Sequence, residues 1–148
     1  MSRAPGRGIV AVGLDVVEVA RIAAMLERHG ERVLERICRP GEVDRSRASL
    51  DQHVAGLFAA KEAVLKALGT GWAEGLGFRQ VEVVRGPGGQ PGVRLHDAAA
   101  ARARELGIAT IHLSISHERA WAAAVAVAEG GRSGGGGAAR RRVRSPAA

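Results

Sequence analysis

Residues 58–71 read FAAKEAVLKALGTG and place three charges on a predicted helix that has no polar face. Because an α-helix advances about 100° per residue, the large side chains form one stripe with Lys61 at its centre. Small residues, mostly alanine, cover the opposite side, where a surface helix would carry polar side chains. Glu62 and Lys66 lie one turn apart on the flank of the stripe. Burying such charges is costly unless they are paired, so the pattern predicts an enclosed helix whose charges have partners.

These charges have two interpretations. Glu62 followed four residues later by Lys66 is the favourable order for a helical ion pair, worth about 0.2 to 0.5 kcal/mol, and Lys61 can bury its stem while its ammonium reaches solvent. Alternatively, the charges belong to a binding or catalytic site. The Gly69-Thr70-Gly71 run suits a helix C-terminus and also a turn that approaches a phosphate. The helix alone leaves both interpretations open.

The net charge of +7 comes from the two ends of the chain. Between residues 8 and 129, fifteen Lys or Arg balance fifteen Asp or Glu. The length of 148 residues suits one domain. We predict a folded domain at 8–129 and a disordered Gly/Arg-rich tail at 130–148, because Val143 is the tail's only sizeable apolar residue. The tail arginines can touch nucleic acid nonspecifically, but a solvated tail is the favoured interpretation and we expect no specific nucleic-acid partner.

Cysteine content and hydropathy favour a cytoplasmic protein. The single Cys38 excludes an internal disulfide and suits a reducing compartment. Arg3 and Arg7 before an apolar run imitate a secretory signal, but Asp15 interrupts that run early. No apolar segment approaches the roughly 20 residues that span a bilayer, so we expect no membrane partner.

The pattern along the chain predicts a single-domain α+β fold with a mostly antiparallel sheet packed against helices. The apolar, β-branched run at the start predicts a strand buried on both faces, and Asp97 is a candidate N-cap. Residues 42–49 have no clear pattern. The predicted elements are, in chain order, a strand at 9–14, helices at 16–28, 31–37 and about 54–68, a hairpin at 78–85 and 93–95, a helix from 97 to about 106, and a hairpin at 110–116 and 121–128.

Asp15 and Glu62 are the carboxylates whose placement suggests a metal site. Asp15 follows the first strand and Glu62 lies on the enclosed helix, so the two converge if that strand packs against that helix. Two carboxylates with open positions for water and substrate phosphate are typical of Mg²⁺, and the chain has no Cys/His cluster at zinc-ligand spacing. On its own, Asp15 serves equally well as a helix N-cap.

His117 lies at a predicted turn, where a solvated histidine is the more common outcome. Its neighbour Ser116 does not form a nucleophile and base pair with it, because adjacent strand residues point to opposite faces. We therefore discount serine hydrolase chemistry.

Three motifs together resemble the holo-[acyl-carrier-protein] synthase family of 4′-phosphopantetheinyl transferases. They are Gly13-Leu14-Asp15 with Arg21 six residues on, residues 58–71, and Ser114-Ile115-Ser116-His117, in that order and spacing. The resemblance covers about residues 9–128. It implies the 4′-phosphopantetheinyl transferase fold and transfer of 4′-phosphopantetheine from coenzyme A to a serine of apo acyl carrier protein. Adenosine 3′,5′-bisphosphate is released, and the setting is fatty acid or polyketide biosynthesis.

The resemblance also implies Mg²⁺ as cofactor and a homotrimer with active sites between subunits. We therefore expect a neighbouring subunit to cover the alanine side of the helix at 58–71. The family's metal-binding carboxylates map onto Asp15 and Glu62, and its catalytic lysine maps onto Lys66.

Phosphoryl-transfer chemistry suggests more detailed roles. Glu62 is the candidate to take the serine proton, and Lys66 to stabilise charge on the leaving phosphate. Lys61, His117 and Gly69-Thr70-Gly71 are expected to bind the remaining phosphates of coenzyme A. Arg21 and Arg28 are expected to bind the acidic acyl carrier protein.

The chain departs from the family pattern in three places. Gln80 replaces an acidic residue that is often found there, Trp72 is bulky after the glycine-containing turn, and the tail from Gly130 has no counterpart. The alternative function is a non-enzymatic oligomeric module that binds an acidic partner, with Glu62 and Lys66 as a structural pair.

Overall fold

A computed structural model describes residues 8–69 and 77–131. All strand pairs in this part of the chain are antiparallel, in a sheet of order β1-β5-β4 and a separate β2-β3 hairpin, so the predicted α+β class is confirmed. The elements are β1 (Ile9–Glu18), α1 (Val19–His29), α2 (Glu31–Ile37), α3 (Leu50–Leu68), a 3₁₀ turn (Phe78–Gln80), β2 (Val81–Arg85), β3 (Pro91–Leu95), α4 (Asp97–Glu105), β4 (Ile108–His117) and β5 (Trp121–Gly130).

The centre of the fold is α3, which lies against the three-stranded sheet. A Cβ added to Gly13 of β1 would lie 1.8 Å from the carbonyl oxygen of Ala63, so only glycine allows the strand to come this close to the helix. The alanines of α3 are at most 4% exposed within this one chain. The expectation that a neighbouring subunit covers them is therefore wrong, because the chain's own fold already does so.

The outward face of β1 is open, contrary to the prediction of a strand buried on both faces. Val10, Val12, Leu14 and Val16 are 39 to 59% exposed; we call these four residues the β1 apolar row. On the opposite face of β1, Gly13 lies against α3 and Val17 is 3% exposed. The apolar run is continuous because both faces of the strand are apolar, although only one of them packs in the core.

Two aspartates predicted as possible helix caps have other positions. β1 continues to Glu18, so Asp15 lies within the strand opposite Ala124 and is not the N-cap of α1. Asp97 begins α4 with a φ of 50° but does not cap it. The side-chain oxygen of Gln80 instead accepts a hydrogen bond from the backbone N–H of Ala99 at 2.9 Å.

The last strand ends one residue beyond the predicted domain boundary. The backbone N–H of Gly130 donates to the carbonyl oxygen of Gly8 at 2.9 Å. The rest of the tail, together with Thr70, Gly71 and Trp72, lies outside the described residues, so the predictions for them stay predictions. Among the helices of the described ranges, none is long and apolar enough to cross a membrane.

Candidate active site

Asp15 and Lys66 form an ion pair where β1 lies on α3. Lys66 Nζ is 3.0 Å from Asp15 Oδ1 and donates to the carbonyl oxygen of Leu14, also at 3.0 Å. The Asp15 side chain is 15% exposed and the Lys66 side chain 51%. The carboxylate is therefore held in the wall of the fold while much of the lysine side chain remains open to solvent.

Glu62 lies beside this pair on α3, partly buried. Burial raises the pKa of the Glu62 carboxyl above its usual value, and the negative charge of Asp15 raises it further. The positive charges of Lys66 and Arg21 act in the opposite direction. A carboxylate with a raised pKa is a better proton acceptor near neutral pH than an ordinary surface glutamate. Asp15, Glu62 and Lys66, which we call the rim cluster, therefore lie near one another. The sequence analysis expected Asp15 and Glu62 to converge if the first strand packs against this helix, and β1 does pack against α3.

The rim cluster contains two carboxylates, Asp15 and Glu62, that were predicted as metal ligands. Within residues 8–69 and 77–131, no group of three or more His, Cys, Asp or Glu side chains is placed to hold a metal ion. Asp15 and Glu62 are two carboxylates close enough to repel each other. This set fits Mg²⁺, which prefers oxygen ligands and often binds through one or two carboxylates, with waters and substrate phosphates completing its shell.

Lys61 does not belong to the rim cluster, although it precedes Glu62 in sequence. Its side chain is fully buried, and its Nζ lies 2.8 Å from Glu42 Oε2 and 3.1 Å from the carbonyl oxygen of Phe78. It also donates to the carbonyl oxygen of Val81. An enclosed ammonium held by one carboxylate and two carbonyl groups has no access to a phosphate, so the predicted role of Lys61 in phosphate binding is wrong.

His117 is also separated from the rim cluster within one chain. It is the last residue of β4, and its Nδ1 lies 3.2 Å from Gln52 Oε1 in the first turn of α3. Gln52 precedes Glu62 by ten residues, about 15 Å along the helix axis at 1.5 Å per residue. Gly69 ends α3 in the left-handed conformation with φ 77°, as predicted for a helix C-terminus.

A groove of about 1090 Å³ lies between α1, α2 and the 3₁₀ turn. We call it the arginine groove, since its lining includes Arg21, Arg32, Arg36 and Arg79 around Met25, Phe58 and Phe78. Arg28 is exposed on the last turn of α1 and is not among the lining residues. The sequence analysis identified only Arg21 of this set. The four-residue spacing of Arg32 and Arg36 on a short helix could have revealed a common face, whereas Arg79 reaches the groove only through the tertiary fold.

Comparison with known sequences gives consistent matches over nearly all of the described fold. Residues 11–126 match the model of the 4′-phosphopantetheinyl transferase superfamily. The chain is 47% identical over 121 residues to a holo-[acyl-carrier-protein] synthase of Desulfovibrio desulfuricans, covering 82% of this chain and 98% of that protein. It is 50% identical over 126 residues to the synthase of Solidesulfovibrio magneticus, covering 82% and 99%.

A solved structure agrees with these matches. The Helicobacter pylori holo-[acyl-carrier-protein] synthase in complex with coenzyme A superposes with a TM-score of 0.70 at 32% identity, covering 79% of this chain and 98% of that chain.

Proposed function

The chain belongs to the 4′-phosphopantetheinyl transferase superfamily, and we propose that the rim cluster performs its reaction with Mg²⁺. The reaction is transfer of 4′-phosphopantetheine from coenzyme A to a serine of apo acyl carrier protein. A non-enzymatic binding module is not favoured, since the similar proteins across the whole fold are synthases. The observation that carries the site assignment is the meeting of Asp15, Glu62 and Lys66 at the surface of the fold.

Each residue of the rim cluster has a chemical task in this reaction. The serine oxygen forms a bond to the phosphorus that carries the pantetheine arm, and the bond from that phosphorus to the oxygen of adenosine 3′,5′-bisphosphate breaks. Glu62 accepts the serine proton, directly or through a water molecule. Lys66 neutralises charge on the leaving phosphate, and Asp15 orients the Lys66 ammonium. Asp15 and Glu62 would hold Mg²⁺, which supplies further neutralisation of phosphoryl oxygens when bound.

The arginine groove is the proposed docking site of the carrier protein. Four arginines around apolar side chains suit an acidic partner with some apolar surface. Arg21 both lines the groove and acts electrostatically on Glu62, so the groove adjoins the rim cluster. Arg28 adds positive charge on the last turn of α1. The use of the carrier in fatty acid or polyketide biosynthesis, and a cytoplasmic setting, remain the expectations from the sequence.

Self-association is the proposed role of the β1 apolar row. A homotrimer would cover these four exposed apolar side chains. It would also let His117 of one copy approach the rim cluster of another, which one chain does not achieve. Phosphate binding by His117 is then a property of the assembled protein, and phosphate binding by Gly69, Thr70 and Gly71 stays an expectation from the sequence.

The activity is tested by mixing the protein with apo acyl carrier protein, coenzyme A and Mg²⁺. Mass spectrometry should find one added phosphopantetheine arm on the carrier. Transfer should be lost on chelation of divalent metal and return with Mg²⁺. No transfer at any metal concentration would contradict the enzyme assignment, whereas full transfer after chelation would contradict only the metal.

The two surfaces are tested separately. Val12→Glu should lower the mass measured by light scattering from that of a trimer and reduce activity, while Gln90→Glu, on the exposed hairpin turn, should change neither. A wild-type chain that is monomeric and fully active would contradict the trimer.

The arginine groove is tested with Arg36→Glu and Arg21→Glu. Each should raise the KM for carrier protein and spare the KM for coenzyme A. Unchanged carrier kinetics would remove these residues from the docking surface.

A further inference from the structure

The Lys61–Glu42 ion pair is the most enclosed charged group among the described residues. The side chain of Lys61 is 0% exposed and that of Glu42 is 2% exposed. Burying such a pair has a large desolvation cost, and replacement by apolar residues of similar volume is often neutral or stabilising. Stability alone is therefore a weak explanation for it. Its directional contacts suggest a second role.

The pair connects three segments that are distant in sequence. Lys61, on α3, donates to the backbone carbonyls of Phe78 and Val81. Glu42 accepts from the backbone N–H of Arg39 at 2.7 Å and from that of Val83 at 3.1 Å. One buried carboxylate and one buried ammonium thus attach residues 78–83 and the loop around residue 42 to the central helix.

The attached segment forms one wall of the arginine groove. Phe78 and Arg79 line the groove, and the Phe78 ring lies 5.1 Å from the ring of Phe58 at its base. The same wall is joined to α2 on the other side, since Arg79 Nη1 donates to the carbonyl oxygen of Glu35 at 3.0 Å. Arg39 Nε in turn donates to the carbonyl oxygen of Arg79 at 2.8 Å.

We infer that Glu42, through its ion pair with Lys61, is a positioning residue that fixes the Phe78–Arg79 wall of the arginine groove for carrier-protein docking. The inference rests on the proposed docking role of that groove. The tilted ring contact of Phe58 with Phe78 and core packing hold the wall near α3, but the hydrophobic burial that drives them is non-directional. The hydrogen bonds of the pair set the position of the backbone along the helix, and a docking surface must be held within about 0.5 Å to keep its complementarity.

The test is a double variant, Lys61→Met with Glu42→Gln, which leaves no unpaired buried charge and keeps an acceptor at residue 42. Ile111→Ala in β4 is the matched control, because Ile111 is buried and is not a lining residue of the groove. All proteins are assayed well below their melting temperatures. The measurements are kcat, the KM values for carrier and coenzyme A, and the Kd for a carrier whose acceptor serine is replaced by alanine.

The double variant should raise the carrier KM and the carrier Kd about tenfold and leave kcat and the coenzyme A KM within twofold of the wild type. The Ile111→Ala control should lower the melting temperature without this split. A carrier KM within twofold of the wild type, or a parallel change in all constants, would overturn the inference.

If the double variant does not fold, Glu42→Asp replaces it, because this variant keeps the charge and shortens the side chain. It should raise the carrier KM at least threefold, and an unchanged KM overturns the inference. Absence of transfer by the wild-type chain would contradict the proposed function instead.

Discussion

Lys61 and Lys66 lie on the same helix, five residues apart, and have opposite surroundings. Lys61 is fully enclosed and contacts both carboxylate oxygens of Glu42 and two backbone carbonyls, and Glu42 is 2% exposed. Lys66 is 51% exposed and bound to Asp15 and one carbonyl. A lysine whose donors are all used inside the fold can organise structure, whereas one with an open side and a carboxylate beside it can act on a substrate. The sequence shows two lysines of α3, and only their partners distinguish them.

The largest effect is expected from Lys61→Ala. Removing the ammonium leaves the Glu42 carboxylate buried without its counter-charge, and breaking such a pair costs about 3 to 5 kcal/mol. The free energy of unfolding, measured by urea denaturation, should fall by about this amount. A loss below about 1 kcal/mol would mean that water reaches Glu42 and that the two lysines differ less than their exposure indicates.

Glu62→Gln should have the next largest effect, on catalysis and not on folding. The amide cannot accept the serine proton, and loss of a general base typically lowers the rate about 10²- to 10⁴-fold. The raised pKa of Glu62 means that its charged form is disfavoured in the fold, so the uncharged amide should fold at least as well. Steady-state kinetics measure the loss of catalysis, and thermal melting of the same sample measures any loss of stability. Transfer at the wild-type rate would remove Glu62 from the reaction.

Lys66→Ala is the direct counterpart of Lys61→Ala. We expect kcat to fall about a hundredfold, the effect of removing one preorganised donor from a transition state. Stability should fall by less than for Lys61→Ala, because the half-exposed Lys66 side chain lets water reach its pair with Asp15. Lys66→Arg, which keeps the charge, should retain more activity than the alanine variant. If Lys66→Ala destabilised the protein as much as Lys61→Ala does, the contrast between the two lysines would be lost.

The sequence predicted the elements of the fold well, because helical and strand periodicities are local. It also selected Asp15, Glu62 and Lys66 as candidate site residues, and it expected the two carboxylates to converge if the first strand packs on the helix. Whether the strand packs there depends on the tertiary fold, which the sequence pattern does not show. The partner of Lys61 could not be predicted: Glu42 lies in a segment without periodicity, and the pairing depends on how that loop folds back over α3. The open face of β1 escaped prediction because a continuous apolar run has the same pattern whether its second face is covered by the chain or by another copy.

His53, another titratable side chain of α3, extends the comparison of Lys61 with Lys66, and its replacement has the smallest expected effect. His53 is 4% exposed, and its Nε2 accepts a hydrogen bond from the backbone N–H of Asp44 at 2.9 Å. Burial lowers the pKa of His53 below its ordinary 6.5, the positive charges of Arg47, Arg85 and His117 lower it further, and the charge of Asp44 acts in the opposite direction. The folded state therefore favours the uncharged imidazole, which Nε2 needs in order to accept this hydrogen bond.

Because the folded pKa of His53 lies below the unfolded value, its contribution to stability is complete above about pH 6.5 and is lost as pH falls through that value to the folded pKa. His53→Gln keeps an acceptor for the Asp44 N–H but does not titrate. Urea denaturation at pH 5, 6, 7 and 8 should show a smaller decrease in stability toward acid pH for His53→Gln than for the wild type. His29→Gln, at an exposed position in the last turn of α1, is the control for general effects of removing a histidine. Parallel profiles for the wild type and His53→Gln would show that folding does not shift the pKa of His53, and that burial on α3 does not by itself favour the uncharged imidazole.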